Sequence, residues 1–358
     1  MQPPTEHANT HSAGEAEIEV EVEPRPQGQA EADSASAHTL EVTDDAAGKR
    51  LDQFLAASLP GHSRAVVQDW IKAGRVTLDG TSASPSVRLK AGMRIVYTPA
   101  PAARAERWEA EPVTFDVVFA DDDLIVIDKP AGLVVHPGAG NSSGTLVNGI
   151  LYQFPETEHV PRAGLVHRID KDTSGLLLVA RSEAAHQALS AAIAEHAVAR
   201  QYVAVCQRVM VSGQTIDAPI ARHPTDRIRM AVASPERSAA RDAVTHIRVL
   251  ERFRAHSLIR ATLETGRTHQ IRVHMAHIGY PLVGDALYGG RFRLPPDPGP
   301  ELIETLSQFR RQALHAEQLV FAHPISGEAM TFTSPMPQDM QGLVDVLRTD
   351  AARHAEGL

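Results

Sequence analysis

The order of apolar and polar positions divides the chain into a polar N-terminal stretch and two regions with secondary-structure periodicity. Residues 1–45 have no such periodicity, whereas apolar residues recur at helical spacing from Lys49 onward. The spacing predicts a helix from residue 51 to about residue 60. Ser63 then predicts the N-cap of a second helix, which ends at Gly74. A small helical unit therefore opens the periodic part of the chain.

Two short strands are predicted after these helices, over residues 75–80 and 90–97. Four basic residues occupy polar positions of the unit: Arg50, Arg64, Lys72 and Arg75. Such bases suit a phosphate backbone, although a packing module with ordinary solvated charges has the same appearance. The arrangement resembles the S4 RNA-binding domain, which implies that residues 46–98 form a small α/β domain that binds RNA. Residues 99–110 are rich in proline and alanine and predict a linker.

Longer apolar runs follow the linker and predict a second domain over residues 111–345, before a C-terminal tail at residues 346–358. A strand is predicted over residues 123–129, and Leu176–Val179 is an uninterrupted apolar run typical of a core strand. Ser182 predicts the N-cap of the helix that follows. Two domains agree with a length of 358 residues.

The distribution of charge sharpens this division. The chain has a net charge of −9, and residues 1–45 contribute −10 through eleven acidic residues and one basic residue. The remaining residues therefore sum to about +1, which permits positive patches. Because the tail is also poor in aromatic residues, we expect residues 1–45 to be disordered. The tail would act either as a solvating segment or as an acidic mimic that occupies the RNA site.

Composition also limits the compartment and the kind of site. The sequence has no run of 18 apolar residues and no signal-peptide pattern, so we expect a cytoplasmic protein without a membrane partner. The single cysteine, Cys206, excludes a disulfide framework and a cysteine-built zinc site. Both observations favour a reducing compartment.

The segment Gly164–Arg181, GLVHRIDKDTSGLLLVAR, joins a charged loop directly to the predicted core strand. Asp170 follows His167 and Arg168 in this loop and precedes a run of small residues. A short match of this kind would favour a surface salt bridge, but eighteen consecutive residues argue against coincidence. The segment resembles the catalytic motif of the pseudouridine synthases that modify large-subunit ribosomal RNA, although Ile169 replaces the usual leucine. This resemblance implies that Asp170 is the catalytic aspartate.

A second segment of the same family pattern, KPAGLVVHPGAGN, begins at Lys129. Its glycines, together with Gly144, approximate a dinucleotide-binding fingerprint, but the last spacing is too long and a proline interrupts the junction. The resemblance implies a structural turn that supports the catalytic loop. In that turn, we expect His136 to be a packed histidine rather than a catalyst.

The third segment, Leu263–His274, predicts the end of a strand and the start of a helix that continues to Gly279. Its histidines suggest a metal site at first sight. On a helix, however, His269 and His274 point about 140° apart, and no carboxylate completes a ligand set, so we expect no metal. The resemblance implies instead that Arg272 pairs with the catalytic aspartate.

A predicted strand over residues 200–205 carries Tyr202. A lone tyrosine in a strand usually belongs to the core, but the resemblance places Tyr202 at the active-site tyrosine, stacked against a flipped uracil. Basic residues crowd the segment that follows, and we expect Arg222 and Arg229 to contact RNA rather than to be ordinary loop charges. Arg168 is expected at a phosphate or in the gap that the flipped base leaves.

The implied reaction breaks the bond between N1 of uracil and C1′ of ribose, turns the base, and joins C5 to C1′. Ionised Asp170 would either attack the sugar carbon or assist loss of a 2′ proton, and the sequence leaves both routes open. A nearby Arg272 would keep the buried carboxylate ionised. The sequence contains no ATP-binding, metal or nicotinamide motif, so no cofactor is expected.

The resemblance also implies the fold class, α+β. We expect a mixed, mainly antiparallel β-sheet with flanking helices and a central cleft, preceded by the small S4 domain. The implied partner is 23S ribosomal RNA or a pre-50S ribosomal particle, bound by a monomeric enzyme. Three alternatives stay open: a synthase that acts on tRNA, a catalytically silent RNA-binding assembly factor, and a hydrolase that cleaves nucleosides.

Overall fold

The computed structural model of the chain describes residues 37–59, 64–99, 108–138, 141–234, 236–237, 239–290 and 294–356. The chain forms two compact units, which divide at Glu106 and Arg107. Ser63, residues 1–36 of the acidic tail and most of the expected linker lie outside the described residues. No helix in the described part of the chain is long and apolar enough to span a membrane.

The first unit consists of two helices and a four-stranded antiparallel sheet in the order β1-β4-β2-β3. Its elements are β1 (His38–Glu41), α1 (Leu51–Ser58), α2 (Arg64–Lys72), β2 (Val76–Leu78), β3 (Thr81–Ser82) and β4 (Arg94–Tyr97). The two predicted helices are present, and their apolar faces pack on the sheet around Leu55, Trp70 and Ile95. This helical face and the sheet share one core.

Strand β1 corrects the expectation that the whole stretch of residues 1–45 is disordered. Leu40 pairs with Ile95 of β4, and Val42 directly after the strand is buried in the core of the unit. Four residues are too few to show a period of two, and their pairing partner lies more than fifty positions away. The folded unit therefore begins inside the acidic tail.

The second unit contains the remaining helices and strands. Its elements are β5 (Asp116–Ala120), β6 (Leu124–Lys129), α3 (Leu146–Gln153), β7 (Ser174–Ala180), α4 (Glu183–Ala194), β8 (Ala199–Gln207), β9 (Gln214–Asp217), β10 (Ile220–Arg222), β11 (Met230–Val232), β12 (Val244–Arg252), β13 (His256–Leu263), α5 (Gln270–His277), α6 (Pro300–Gln308), β14 (Leu314–Ala322), β15 (Ala329–Thr333) and α7 (Gln338–Glu356). As predicted, Ser182 caps α4 by accepting a hydrogen bond from the backbone N–H of Ala185.

A nine-stranded sheet forms the centre of the second unit. Its strand order is β5-β6-β7-β14-β8-β13-β12-β9, with β15 paired to β14. Only the β7–β14 pair is parallel among the described strands, so the sheet is mixed and mainly antiparallel. Strands β10 and β11 form a separate hairpin. The expected α+β class with a mixed sheet is confirmed.

The sheet fixes the loop that contains Asp170. Strand β7 is buried along its whole length, as its apolar sequence predicted, and it holds the end of this loop in the core. Gly175 has a φ of +108°, and a Cβ atom there would lie 2.3 Å from the carbonyl oxygen of Ala316. Only glycine allows the backbones of β7 and β14 to approach this closely. The loop that contains Asp170 is therefore anchored to rigid structure.

Candidate active site

The structure brings Asp170, Tyr202 and Arg272 to one pocket, which Ile169, Leu263 and Leu314 also line. Nη1 of Arg272 donates a hydrogen bond to Oδ2 of Asp170 at 3.0 Å, across 102 positions of sequence. The Asp170 side chain keeps 17% of its surface exposed, and its Oδ1 lies 4.0 Å from Nε2 of His269. One carboxylate oxygen is therefore paired, while the other remains open to the pocket.

Arg272 also binds a second carboxylate, which the sequence did not single out. Its Nε and Nη2 atoms donate to both oxygens of Asp285, at 2.7 and 2.9 Å. Burial by itself lowers the pKa of Arg272, but the Asp285 hydrogen bonds and the two carboxylate charges outweigh it and raise that pKa. Asp285 is wholly buried and accepts further hydrogen bonds from the backbone N–H groups of Leu287 and Tyr288.

Tyr202 lies in β8, with its ring buried at the side of the pocket. Burial raises the pKa of its hydroxyl, so this group stays protonated at neutral pH. No group in the described part of the chain hydrogen-bonds to the hydroxyl at usual distances. A flat, buried ring beside an open carboxylate offers a surface on which a planar base can stack.

His167 and Arg168, adjacent in sequence, have different surroundings. Nε2 of His167 accepts a hydrogen bond from the backbone N–H of Leu178 at 3.0 Å, which fastens the loop to β7. Burial, and secondarily the charge of Arg200, lowers the pKa of His167 to about 3, so the ring is neutral. Arg168 is exposed, and its Nη1 lies 3.4 Å from Nε2 of the half-buried His136. Arg168 thus lies at the mouth of the pocket rather than in its floor.

A layer of aromatic and basic side chains lies behind Arg272. The Tyr288 ring centroid is 5.1 Å from the Arg272 guanidinium carbon and 5.3 Å from that of Arg229. The Tyr288 hydroxyl accepts a hydrogen bond from the N–H of Met230 at 2.8 Å and lies 2.9 Å from Nδ1 of His269. Tyr288 therefore connects the β10–β11 hairpin to the pair formed by Arg272 and Asp170.

The histidines of the third motif have separate partners. His269 contacts Tyr288, whereas His274 is buried between Oγ1 of Thr245 and the carbonyl oxygen of Ala218. Within the described ranges, no three His, Cys, Asp or Glu side chains form a group that could hold a metal ion. Asp285 and Tyr288 escaped the sequence analysis because they lie beyond the motif. The only available signal was the isolated charge of Asp285 shortly after the buried pair Leu282 and Val283.

Lys129 ties the second motif to the loop that carries Asp170. Its wholly buried Nζ donates hydrogen bonds to the carbonyl oxygens of Pro130, Leu133 and Lys171, at 2.7 to 3.0 Å. Burial lowers the pKa of Lys129 to about 7, although the charges of Asp172 and then Asp170 oppose this shift. The three carbonyl acceptors also favour the ammonium form of Lys129. Through these hydrogen bonds Lys129 connects the second motif to the loop that carries Asp170.

Two of the four basic residues that we expect to contact RNA in the first unit, Arg50 and Arg64, form ion pairs within that unit. Arg50 and Arg64 both donate to the buried carboxylate of Asp52, as does Gln68. The other residues expected to contact RNA are exposed or half-exposed. Lys72 lies 3.5 Å from Asp69, Arg75 is exposed, Arg222 donates to the carbonyl of Arg227, and Arg229 stacks on Tyr288. Four of these bases belong to the first unit and two to the second.

Comparison with known proteins identifies similar chains for both units. A family model described as RNA pseudouridylate synthase matches residues 123–277, and an S4 domain model matches residues 49–95. The chain is 50% identical over 310 residues to "Ribosomal large subunit pseudouridine synthase D" of Pseudomonas aeruginosa, covering 87% of this chain and 95% of that one. It is 51% identical over 315 residues to the protein of the same name from Xanthomonas campestris pv. campestris, with 88% and 94% covered.

A solved structure also resembles a large part of the chain. "Human RNA Pseudouridylate Synthase Domain Containing 4" superposes with a TM-score of 0.51 at 26% sequence identity, covering 65% of this chain and 92% of that one.

The Escherichia coli (strain K12) protein named "Ribosomal large subunit pseudouridine synthase D" is 45% identical over 319 residues, which cover 89% of this chain and 96% of that protein. The relatives thus match along almost their whole length.

Proposed function

Because this chain belongs to the RNA pseudouridylate synthase family, we propose that it converts specific uridines of 23S ribosomal RNA to pseudouridine, with Asp170 as the catalytic carboxylate. The observation that carries the catalytic assignment is the half-paired state of Asp170, with Oδ2 bound to Arg272 and Oδ1 open to the pocket. The choice of RNA rests on the names of relatives that are about half identical in sequence. A synthase acting on tRNA is the alternative that this evidence opposes.

The proposed mechanism assigns Asp170 to the sugar carbon. Breaking the bond between N1 and C1′ leaves C1′ electron-poor, and an ionised carboxylate within reach stabilises that centre. The carboxylate either bonds to C1′ or accepts the 2′ proton, and both routes require the ionised form. After the base turns, C5 bonds to C1′ and loses its proton, while N1 gains one. The hydrogen bond from Arg272 holds Asp170 in the ionised form without blocking its second oxygen.

Tyr202 and Arg168 act on the base and on the surrounding RNA in this proposal. The buried Tyr202 ring stacks on the extruded uracil beside Asp170, and base stacking of this kind contributes about 1 to 3 kcal/mol. The exposed Arg168 meets a phosphate or fills the gap left by the flipped base. No step of this scheme calls for a cofactor.

The remaining bases supply RNA affinity. Six basic residues contact the RNA backbone in this proposal: Arg50, Arg64, Lys72 and Arg75 in the S4 unit, and Arg222 and Arg229 in the catalytic unit. The protein acts as a monomer in the cytoplasm. Phosphate contacts of this kind add affinity without choosing a sequence. Site choice must then come from the shape of the RNA and from its unpaired bases.

The decisive test replaces Asp170 by asparagine, which removes the charge and keeps the shape. We expect Asp170→Asn to release no tritium above background from RNA labelled at C5 of uridine, while it binds the RNA as tightly as wild type. Asp122→Asn, at an exposed turn before β6, removes the same charge and should retain full activity. Turnover by Asp170→Asn would overturn the catalytic assignment.

The products distinguish the other classes of protein. Free uracil would indicate a hydrolase, and RNA binding without tritium release by the wild-type protein would indicate an assembly factor. Mapping pseudouridine in cellular ribosomal RNA, with and without the gene, identifies the modified uridine. Loss of pseudouridine only from tRNA would contradict the proposed substrate.

A further inference from the structure

Arg200 is a buried cation in the active-site pocket for which the mechanism above has no use. It lies in β8 two residues before Tyr202, so both side chains point to the same face of the strand. The Arg200 side chain lines the same pocket as Asp170 and Tyr202, and the residue is only 4% exposed. A charged group this deep in the site requires a compensating partner.

The described residues provide little compensation for this charge. No carboxylate in the described part of the chain lies within ion-pair distance of the Arg200 guanidinium. Its Nη2 donates one long hydrogen bond, 3.3 Å, to the carbonyl oxygen of Glu264, and its buried Nε has no acceptor. Arg272, by contrast, donates to two carboxylates in the same pocket. Of these two buried guanidinium groups, only Arg200 lacks a counter-charge.

The neighbouring loop is shaped to admit the guanidinium group. A Cβ atom at Gly266 would lie 2.6 Å from Nη1 of Arg200, so a larger residue at that position would push the side chain away. The charge also reaches its surroundings, because it contributes to the low pKa of His167 and therefore to a neutral ring there. Arg200 is thus held in place by packing, and most of its N–H groups have no acceptor among the described residues.

The proposed reaction produces a negative charge that matches this site. When the bond between N1 and C1′ breaks, its electron pair stays with the base. The detached uracil then carries negative charge over N1 and its two carbonyl oxygens. A preorganised donor directed at such charge, in a site that excludes water, stabilises the transition state more than the ground state.

We propose that Arg200 is a catalytic residue that stabilises the detached uracil anion by donating a hydrogen bond to a carbonyl oxygen of the ring. This inference rests on the proposed function of the pocket. Arg200 keeps its proton throughout, and the electron pair returns to C1′ when C5 forms the new bond. Asp170 and Arg200 therefore act on opposite charges, the carboxylate on the sugar and the guanidinium on the base.

An RNA phosphate is the other anion that a guanidinium could bind. The depth of Arg200 argues against it, because the apolar Leu263 and the ring of Tyr202 line the pocket around it. Arg168 and Arg267 are exposed and accessible to a phosphate from solution. The experiment below separates the two ligands through the salt dependence of RNA binding.

The test compares Arg200→Met with wild type on the same C5-labelled RNA. The substitution keeps the bulk of the side chain and removes an uncompensated buried charge, so the thermal midpoint should be unchanged or higher. We expect RNA affinity and its salt dependence to be unchanged and the single-turnover rate to fall at least about 100-fold. Arg200→Lys, which keeps the charge without the forked geometry, should recover part of the rate.

Arg260→Met is the matched control. Arg260 pairs with Glu317 and lies opposite Val203 in the neighbouring strand, so it faces the side of the sheet away from Tyr202. This variant should keep the wild-type single-turnover rate. A second measurement uses RNA with fluorine at C5 of the target uridine, because fluorine stabilises the detached base anion. The deficit of Arg200→Met in forming the C-glycoside should shrink with that RNA.

Several results would overturn the inference. A rate within about threefold of wild type would remove Arg200 from the chemistry. A lower thermal midpoint with a parallel loss of activity would make Arg200 structural. A salt slope reduced by about one would assign Arg200 to a phosphate. Because wild-type turnover and the inactivity of Asp170→Asn are measured with the same RNA, failure of the proposed function is recognised separately.

Discussion

Two ion clusters, one in each unit, have opposite compositions. In the S4 unit a buried aspartate, Asp52, is surrounded by two arginines. In the catalytic unit a buried arginine, Arg272, joins two aspartates. Since ionised side chains are costly to bury, each cluster is stable only if its central group is well paired. The difference lies in how completely the outer members are paired.

In the Asp52 cluster the central carboxylate is fully paired and buried, whereas the arginines around it are partly exposed to solvent. The carboxylate is wholly buried and accepts hydrogen bonds from five donor atoms of Arg50, Arg64 and Gln68. Burial opposes ionisation, but the hydrogen bonds outweigh it and hold the pKa of Asp52 well below its usual range. The arginine side chains remain 37% and 46% exposed, so a net charge of about +1 faces solvent. Such a cluster stabilises the fold and leaves both guanidinium groups partly exposed.

In the Arg272 cluster Asp285 is fully paired and buried, whereas Asp170 has one carboxylate oxygen that is not paired. Asp285 accepts four hydrogen bonds and has no exposed surface, whereas the Asp170 carboxylate accepts one from the described residues. The cluster has a net charge of about −1, located next to the pocket. Incomplete pairing of a carboxylate is what leaves an oxygen free for chemistry. We infer that the first cluster is structural and the second catalytic.

The largest effect is expected on removing the central cation of the catalytic cluster. Arg272→Met leaves Asp170 beside a buried Asp285 with no cation between them, so ionisation of Asp170 becomes harder. We expect the single-turnover rate at neutral pH to fall at least about 1000-fold and to recover partly as pH rises.

The measurement for this variant is the rate as a function of pH. Arg272→Lys keeps the charge but has no fork to bridge both carboxylates, so its rate should be intermediate. If the pH profile of Arg272→Met superimposes on that of wild type after scaling, Arg272 does not hold Asp170 ionised. The incomplete pairing of Asp170 in the Arg272 cluster would then not explain its proposed catalytic role.

Local sequence patterns predicted the elements that build both clusters. The apolar run before Ala180 predicted the fully buried β7, the spacing after Lys49 predicted α1 and α2, and Gly279 marks the end of α5, with a φ of +84°. Each of these signals depends on neighbours within a few residues. The motif containing Arg272 likewise located one end of its contact with Asp170.

Contacts between distant segments were not predictable in the same way. Asp285 lies outside the motif that contains Arg272, and nothing local marks it as the second ligand of that guanidinium. The ion pairs that Arg50 and Arg64 form with Asp52 were not predicted, for a similar reason. A helical pattern identifies polar positions, but it does not show that the Asp52 side chain is buried and accepts hydrogen bonds from both arginines. Tertiary packing decides which charged groups meet.

A smaller effect is expected on the S4 cluster, confined to stability. Asp52→Asn removes a carboxylate charge that five donor atoms contact, but it leaves arginines that solvent can reach, so we expect the unfolding free energy of the first unit to fall by about 1 to 3 kcal/mol. The chain has two tryptophans, Trp70 in the first unit and Trp108 in the second. Urea unfolding followed by Trp70 fluorescence in a Trp108→Phe background measures this loss.

Asp69→Asn is the control for the S4 cluster. Asp69 is exposed in the same helix as Gln68 and pairs weakly with Lys72, so its substitution should cost less than about 0.5 kcal/mol. An equal cost for Asp52→Asn and Asp69→Asn would mean that the buried cluster does not stabilise the unit. The contrast with the catalytic cluster would then rest on geometry alone.

The smallest effect separates the two units by pH. Burial lowers the pKa of His256 to about 4 and that of His167 to about 3, from 6.5. Below pH 6.5 the unfolded chain binds protons that the folded second unit does not, so that unit loses stability as pH falls. The loss at pH 5 is about 2 kcal/mol for each histidine. The lowered pKa of Asp52 has its effect only below about pH 4, because its stabilisation is fully present above the pKa of the unfolded chain.

Between pH 6.5 and pH 5 the two tryptophans should therefore respond differently. The urea midpoint reported by Trp108, in a Trp70→Phe background, should fall with pH, whereas the midpoint reported by Trp70 should change little. His256→Asn should remove about 2 kcal/mol of the loss in the second unit, because an amide takes up no proton in this range. If both midpoints fall together, acid sensitivity does not distinguish the units, and buried histidines are not its source. If only Trp108 responds, the S4 unit keeps its fold in mild acid while the catalytic unit loosens around histidines that must remain neutral.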